Sequence, residues 1–189
     1  MSHTAISLSS KALIQLGAKS ITSFDEETSE AEVASQLYEP TLENLLTCYP
    51  WRFALQQNSL GRLQTTPMAD YRYAYQLPNN CLRILSAGQS TKSSGLKYRI
   101  VGKHLYTNAP EVILTYIEKP NENTFPPFFV KALVAQLAAE FCLPLTESTA
   151  RTDYMRKIAS EELTQARLVD SQQATNPSFQ DFSLIEVRG

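Results

Sequence analysis

Histidine and cysteine are the residue types from which nucleophilic and metal chemistry is most often built, and this chain holds two of the first and three of the second. His3 lies at the N-terminal end of the chain and His104 in a strand-like stretch, and neither has a partner at a recognised metal-ligand spacing. A Cys-His nucleophile would need a thiol beside His104 in space, for which Cys81 is the candidate, although Cys81 also reads as a small core residue. The six glycines are scattered, so no loop is built to cradle phosphate. The carboxylate pairs Glu26-Glu27 and Glu161-Glu162 read as solvated helix faces. The sequence therefore names no catalytic residue, no metal ligand and no cofactor-binding residue, and a non-enzymatic role is the expectation.

Contact chemistry is better represented. Arg62, Arg72, Arg83, Lys92, Lys97, Arg99 and Lys103 are interleaved with Tyr71, Tyr73, Tyr75, Tyr98 and Tyr106. Bases can stack on aromatic rings while cations track a phosphate backbone, so one reading is a cytosolic nucleic-acid-binding module. The other is a half-buried sheet with tyrosines inward and arginines outward, because Tyr71, Tyr73, Tyr75 and Leu77 alternate with period two. Residues 51–119 carry nine basic and three acidic side chains, while residues 1–50 carry two basic and seven acidic. Such a division suits contact with a polyanion or with an acidic neighbour. At the C-terminus, Phe179, Phe182, Leu184, Ile185 and Val187 form an apolar stretch behind the polar segment 171–178. Such a stretch should dock, either on its own body or on a partner.

These residues must be held by a scaffold that changes character at Pro50-Trp51. Upstream, residues 4–16 read as a helix capped by Thr4 and stopped by Gly17. A longer helix opens at Asp25-Glu26-Glu27-Thr28 and runs to Cys48, with a kink or broken turn expected at Pro40. Pro50 ends it, and Trp51 and Phe53 alternate with Arg52, as an extended segment burying both rings would require. Strands are expected near 53–60, 71–77, 81–87, 97–101, 104–107 and 112–117. Turns fall at Pro78-Asn79-Asn80 and Gly102-Lys103. Helix returns at 128–143, apolar over a wide arc, ends at Pro144, and is followed by a helix capped by Thr146 or Ser148 that reaches about Asp170.

The expected fold is thus α+β: a bundle of about four helices from residues 1–50 and 125–172, an antiparallel β subdomain inserted at 51–124, and an extended C-terminal tail at 173–189. The helices on either side of the insertion should pack together, because neither pair alone buries its apolar faces. Pro50, Trp51 and Phe53 form the structural seam, although a tryptophan closing a core at a helix end would look the same. The length of 189 residues fits one domain with an insertion. Three widely spaced cysteines argue against a disulfide framework, and no apolar run approaches the length of a membrane span, so synthesis in a cytoplasm is expected.

Two phrases carry a family resemblance. Cys48-Tyr49-Pro50-Trp51-Arg52-Phe53-Ala54 and Tyr73-Ala74-Tyr75-Gln76-Leu77-Pro78-Asn79-Asn80-Cys81-Leu82-Arg83, with the N-terminal helix ending at Leu16-Gly17, resemble the tail tubular protein A family. These are the head-to-tail adaptors of short-tailed bacteriophages. Asn80 stands where that family usually has aspartate and Tyr49 where it commonly has histidine. The resemblance spans roughly residues 4–170 and implies a structural virion protein of the tail or neck, made in the host cytoplasm. Copies would form a homo-oligomeric ring, dodecameric in the family, between the portal protein and the tail nozzle protein. DNA would pass through its channel without specific binding, and no membrane is involved. The implied portal contact is the tail segment with Phe179, Phe182, Leu184, Ile185 and Val187. The implied nozzle-facing insertion carries Arg72, Arg83, Lys97, Arg99 and Lys103.

Overall fold

The computed structural model describes residues 3–65, 67, 70–89 and 95–173, and its first helix, α1 (Ala5–Gln15), begins where Thr4 can cap it. Thr4 Oγ1 accepts the Ser7 N–H at 3.2 Å while Ser7 Oγ accepts the Thr4 N–H at 2.9 Å, a reciprocal capping box. Gly17 ends the helix with φ +68°. The N–H groups of Gly17 and Ala18 return to the carbonyls of Ile14 and Leu13 at 2.9 and 3.0 Å, the bond pattern of a left-handed helix stop.

Helix α2 (Ser29–Thr47) starts later than its acidic run suggests, because Thr28 is the cap and accepts the Ala31 N–H at 3.2 Å. Glu30 and Glu32, not residues 25–27, occupy its first turn. Glu26 folds back instead. Its carboxylate accepts Thr22 Oγ1 at 2.6 Å and the N–H groups of Thr22 and Ser23 at 2.6 and 3.0 Å. These bonds, the Thr22 hydroxyl first, hold its carboxyl below the usual carboxylate range. Pro40 does not break α2. Pro40 and Gln36 are both exposed, so water reaches the carbonyl that proline leaves unpaired.

Helix α3 (Pro127–Thr146) likewise runs through Pro144, which was expected to end it, and stops at Glu147, a non-glycine residue with φ +53°. Pro144 is exposed on the last turn, where little of the helix remains to disrupt. Its apolar length also corrects an expectation, because α3 is long and apolar enough to cross a membrane, with mean hydropathy 1.6. Packing accounts for that composition. α1, α2 and α4 (Thr149–Gln172) all pack on α3, which makes it the central helix of the body. Ser148 caps α4 by accepting the Arg151 N–H at 3.4 Å. The buried side of α4 is Thr152, Met155, Ala159, Ala166 and Asp170, whereas Tyr154 and Leu168 are exposed.

Between α2 and α3 the described residues build two three-stranded antiparallel sheets. The first has the order β1 (Leu55–Ser59), β6 (Ile113–Glu118), β3 (Cys81–Gly88). The second has the order β2 (Tyr73–Gln76), β5 (His104–Thr107), β4 (Tyr98–Val101). Gly102 takes φ +57° at the start of the two-residue turn joining β4 to β5, as a tight hairpin requires. Tyr75, Leu105, Leu114 and Tyr116 fill the space between the sheets, while Ile117, next along β6, points into the helical core. The α+β class expected from the sequence is therefore the observed one. The tail segment with Phe179, Phe182, Leu184, Ile185 and Val187 lies outside the described residues, as does Lys92.

Candidate functional site

The seam at Pro50-Trp51 is built differently from its expected alternation. Trp51 is followed by one turn of 3-10 helix, Arg52–Ala54, and only then by β1. The rings still converge, because the turn brings Phe53 back beside Trp51, with centroids 6.2 Å apart. Trp51 is fully buried and donates its indole N–H to the Leu45 carbonyl in the last turns of α2 at 2.8 Å. Tyr49 meets it edge-on at 4.9 Å and Phe129 at 5.2 Å. Phe53 meets Phe129 at 4.7 Å, and Phe125 joins from the far end of the insertion at 5.0 Å from Phe129. One aromatic cluster thus holds the entry and the exit of the β insertion against the start of α3.

Polar contacts lace the same junction. The buried carboxylate of Asp170, in the last turn of α4, accepts the Arg52 N–H at 3.3 and 3.4 Å, and Arg52 Nε donates to the Asp170 carbonyl at 3.1 Å. Burial pushes the Asp170 carboxyl above its usual value, against the pull of Arg52. One turn earlier, Arg167 lies over the Tyr49 ring at 5.7 Å and donates to Cys48 Sγ at 3.3 Å. On the exit side, Lys119 pairs with Glu39 of α2, and the Tyr38 hydroxyl donates to Glu122 at 3.5 Å. Burial, helped by the Glu122 and Glu39 charges, pushes the Tyr38 phenol far up. Arg83, from β3, reaches the Thr47 carbonyl at the C-terminus of α2 at 2.7 Å.

Sequence reasoning missed Asp170 and Arg167, yet a signal was present. Asp170 stands in line with Met155, Ala159 and Ala166 at helical spacing, and an acid on the buried stripe of a helix needs a partner.

A second assembly forms on the outer side of the β2-β5-β4 sheet. The inner side takes Tyr73, Tyr75 and Tyr98, so the inward-tyrosine reading holds for these three. Register then fixes the outer side. Ala74, Tyr106 and Arg99 form one cross-strand row, and Gln76, His104 and Val101 the next. Arg72 and Lys97, just before β2 and β4, continue the same alternation and are exposed, with the Arg72 N–H held by Asn108 Oδ1 at 2.9 Å. Lys103 sits in the adjoining turn. Four of the five basic residues singled out from sequence therefore gather on one face, and Arg83 stands apart at the seam. His104 and Tyr106 lie half-buried with ring planes 6° apart and centroids at 6.3 Å.

The possible nucleophile does not assemble in this way. Cys81 begins β3 opposite Glu118 in one sheet, whereas His104 lies between Gln76 and Val101 in the other. Burial pushes the Cys81 thiol up, the opposite of what a thiolate needs. Among the described residues no group of His, Cys, Asp and Glu is arranged to hold a metal ion. A hollow of about 570 Å³ beside Asn58, Leu60 and Gln76 has no titratable lining residue. Glu162 pairs with Lys131 at 2.8 Å, leaving Glu161 solvated beside it. No protein-family model matches this chain, and no curated protein is significantly similar to it.

Proposed function

We propose that this chain is a structural virion protein, a head-to-tail adaptor of a short-tailed bacteriophage. Copies form a ring between the portal protein and the tail nozzle protein and continue the DNA channel. The observation that supports this best is the seam. An adaptor must hold one partner-facing part rigidly against another, and here the β insertion is fastened to the helical body at its entry by Trp51 and Asp170 and at its exit by Lys119 and Phe125. The two phrases that resemble the adaptor family, 48–54 and 73–83, enter and cross this insertion.

In this reading the helical body and the tail segment 179–187 meet the portal, and the insertion meets the nozzle. The acidic first part beside a basic middle sets head-to-tail contacts between neighbours in a closing ring. The chain is made in the host cytoplasm and resides in the neck of the virion. It assembles on its partner and stays monomeric alone. Deleting residues 176–189 tests the portal contact. The truncated chain should remain folded by circular dichroism and no longer co-sediment with portal rings, and co-sedimentation at the level of the full chain would remove the tail as the anchor.

A further inference from the structure

We propose that the outer face of the β2-β5-β4 sheet binds single-stranded nucleic acid. The inference rests on this face alone and not on the adaptor reading, in which Arg72, Lys97, Arg99 and Lys103 face the nozzle instead. Tyr106 and His104 stand two residues apart on β5, so the strand itself sets their separation, and their planes are 6° from parallel. The two rings are near-parallel and half-buried, so part of each is left as stacking surface for successive bases, and stacking accepts any base because every base has a π-face.

The cations stand around these rings rather than among acids. Among the described residues, Arg72, Lys97 and Lys103 have no carboxylate within salt-bridge distance. Arg99 meets Asp70 at 3.6 Å, but both side chains are more than 60% exposed, at 63% and 67%. An ion pair so open to water is weak and easily exchanged for a phosphate. The face spans three rows and three strands, about 14 by 10 Å, which is room for two or three nucleotides. A duplex could not present its bases to these rings, so the single strand is the form this chemistry selects.

The test is a fluorescence anisotropy titration of a labelled short oligothymidylate with the full chain at low salt. Binding should weaken with added salt, with a log–log slope of about −2 for three phosphates on a single strand. Tyr106→Ala should weaken it about tenfold, and Tyr106→Phe should restore it. Lys97→Glu, an exposed change that leaves the sheet core untouched, should weaken binding and flatten the salt slope. A duplex of the same length should bind less well than the single strand. The proposal is overturned if no salt-dependent binding occurs. It is also overturned if Tyr106→Ala binds normally while folded by circular dichroism, or if polyglutamate competes as well as oligothymidylate, which would make the face a dock for an acidic protein.

Discussion

The carboxylate of Asp170 caps the backbone N–H of Arg52 across 118 residues of sequence, at 3.3 Å. It joins the last turn of the last described helix to the first turn of the β insertion. The same acid is buried, and burial raises its carboxyl above the usual value. A raised carboxyl favours folding in the protonated form. That contribution is fully present below about pH 3.9, the ordinary Asp value, and is lost as pH rises through the higher folded-state value. Asp170→Asn keeps an oxygen for the Arg52 N–H and removes the charge. Its thermal midpoint should therefore equal or exceed the parent's near neutrality, and this advantage should vanish in acid. Asp170→Ala leaves the N–H unpaired and should cost about 1–3 kcal/mol at neutral pH. Thermal melts of all three proteins across the acid range check both signs.

Trp51 is the largest fully buried side chain at the seam, so Trp51→Ala should cost about 3–5 kcal/mol. Trp51→Phe retains most of the apolar volume but leaves the Leu45 carbonyl with only the weaker Cys48 thiol as donor, at 3.1 Å, and should cost about 0.5–1.5 kcal/mol. Urea unfolding measures both. A midpoint unchanged by Trp51→Ala would remove the ring from the core and the seam with it.

Arg83 makes its contact from an exposed position, so Arg83→Ala should cost less than about 1 kcal/mol, the usual scale for a cation at a helix C-terminus. Its local effect should be larger than its global one. Amide exchange should quicken in the last turn of α2 and in β3 while α1 and α3 keep their protection, and uniform quickening would contradict this placement.

Gly102 takes φ +57° with open space where a Cβ would stand. Gly102→Ala should therefore cost about 1–2 kcal/mol through backbone strain alone, and Gly102→Asn less. Equal stability of all three proteins by chemical denaturation would show that the hairpin turn relaxes without strain.

Local chemistry made much of this fold legible. Thr4 and Gly17 bound α1, Pro78-Asn79-Asn80 and Gly102-Lys103 turn the chain between strands, and the apolar arc of 128–143 marks the central helix. What failed were inferences that depend on surroundings. Pro40 and Pro144 read as breaks, yet Pro40 stands exposed where water can serve the freed carbonyl and Pro144 falls in the last turn of α3. Trp51 and Phe53 read as one face of an extended segment, yet a 3-10 turn brings them together. The basic residues were legible as a set, but only the strand register separates Arg83 from the other four and turns His104 and Tyr106 outward. Asp170 acquires its partner from a segment distant in sequence, which no local pattern displays.

Electron microscopy of the full chain mixed with portal rings from the genome that encodes it tests the adaptor account most directly. The account predicts a second ring of density on the exit face of the portal, in register with its symmetry, and no ring when the chain is imaged alone. Portal rings without added density, with the chain remaining monomeric in the mixture by light scattering, would contradict it.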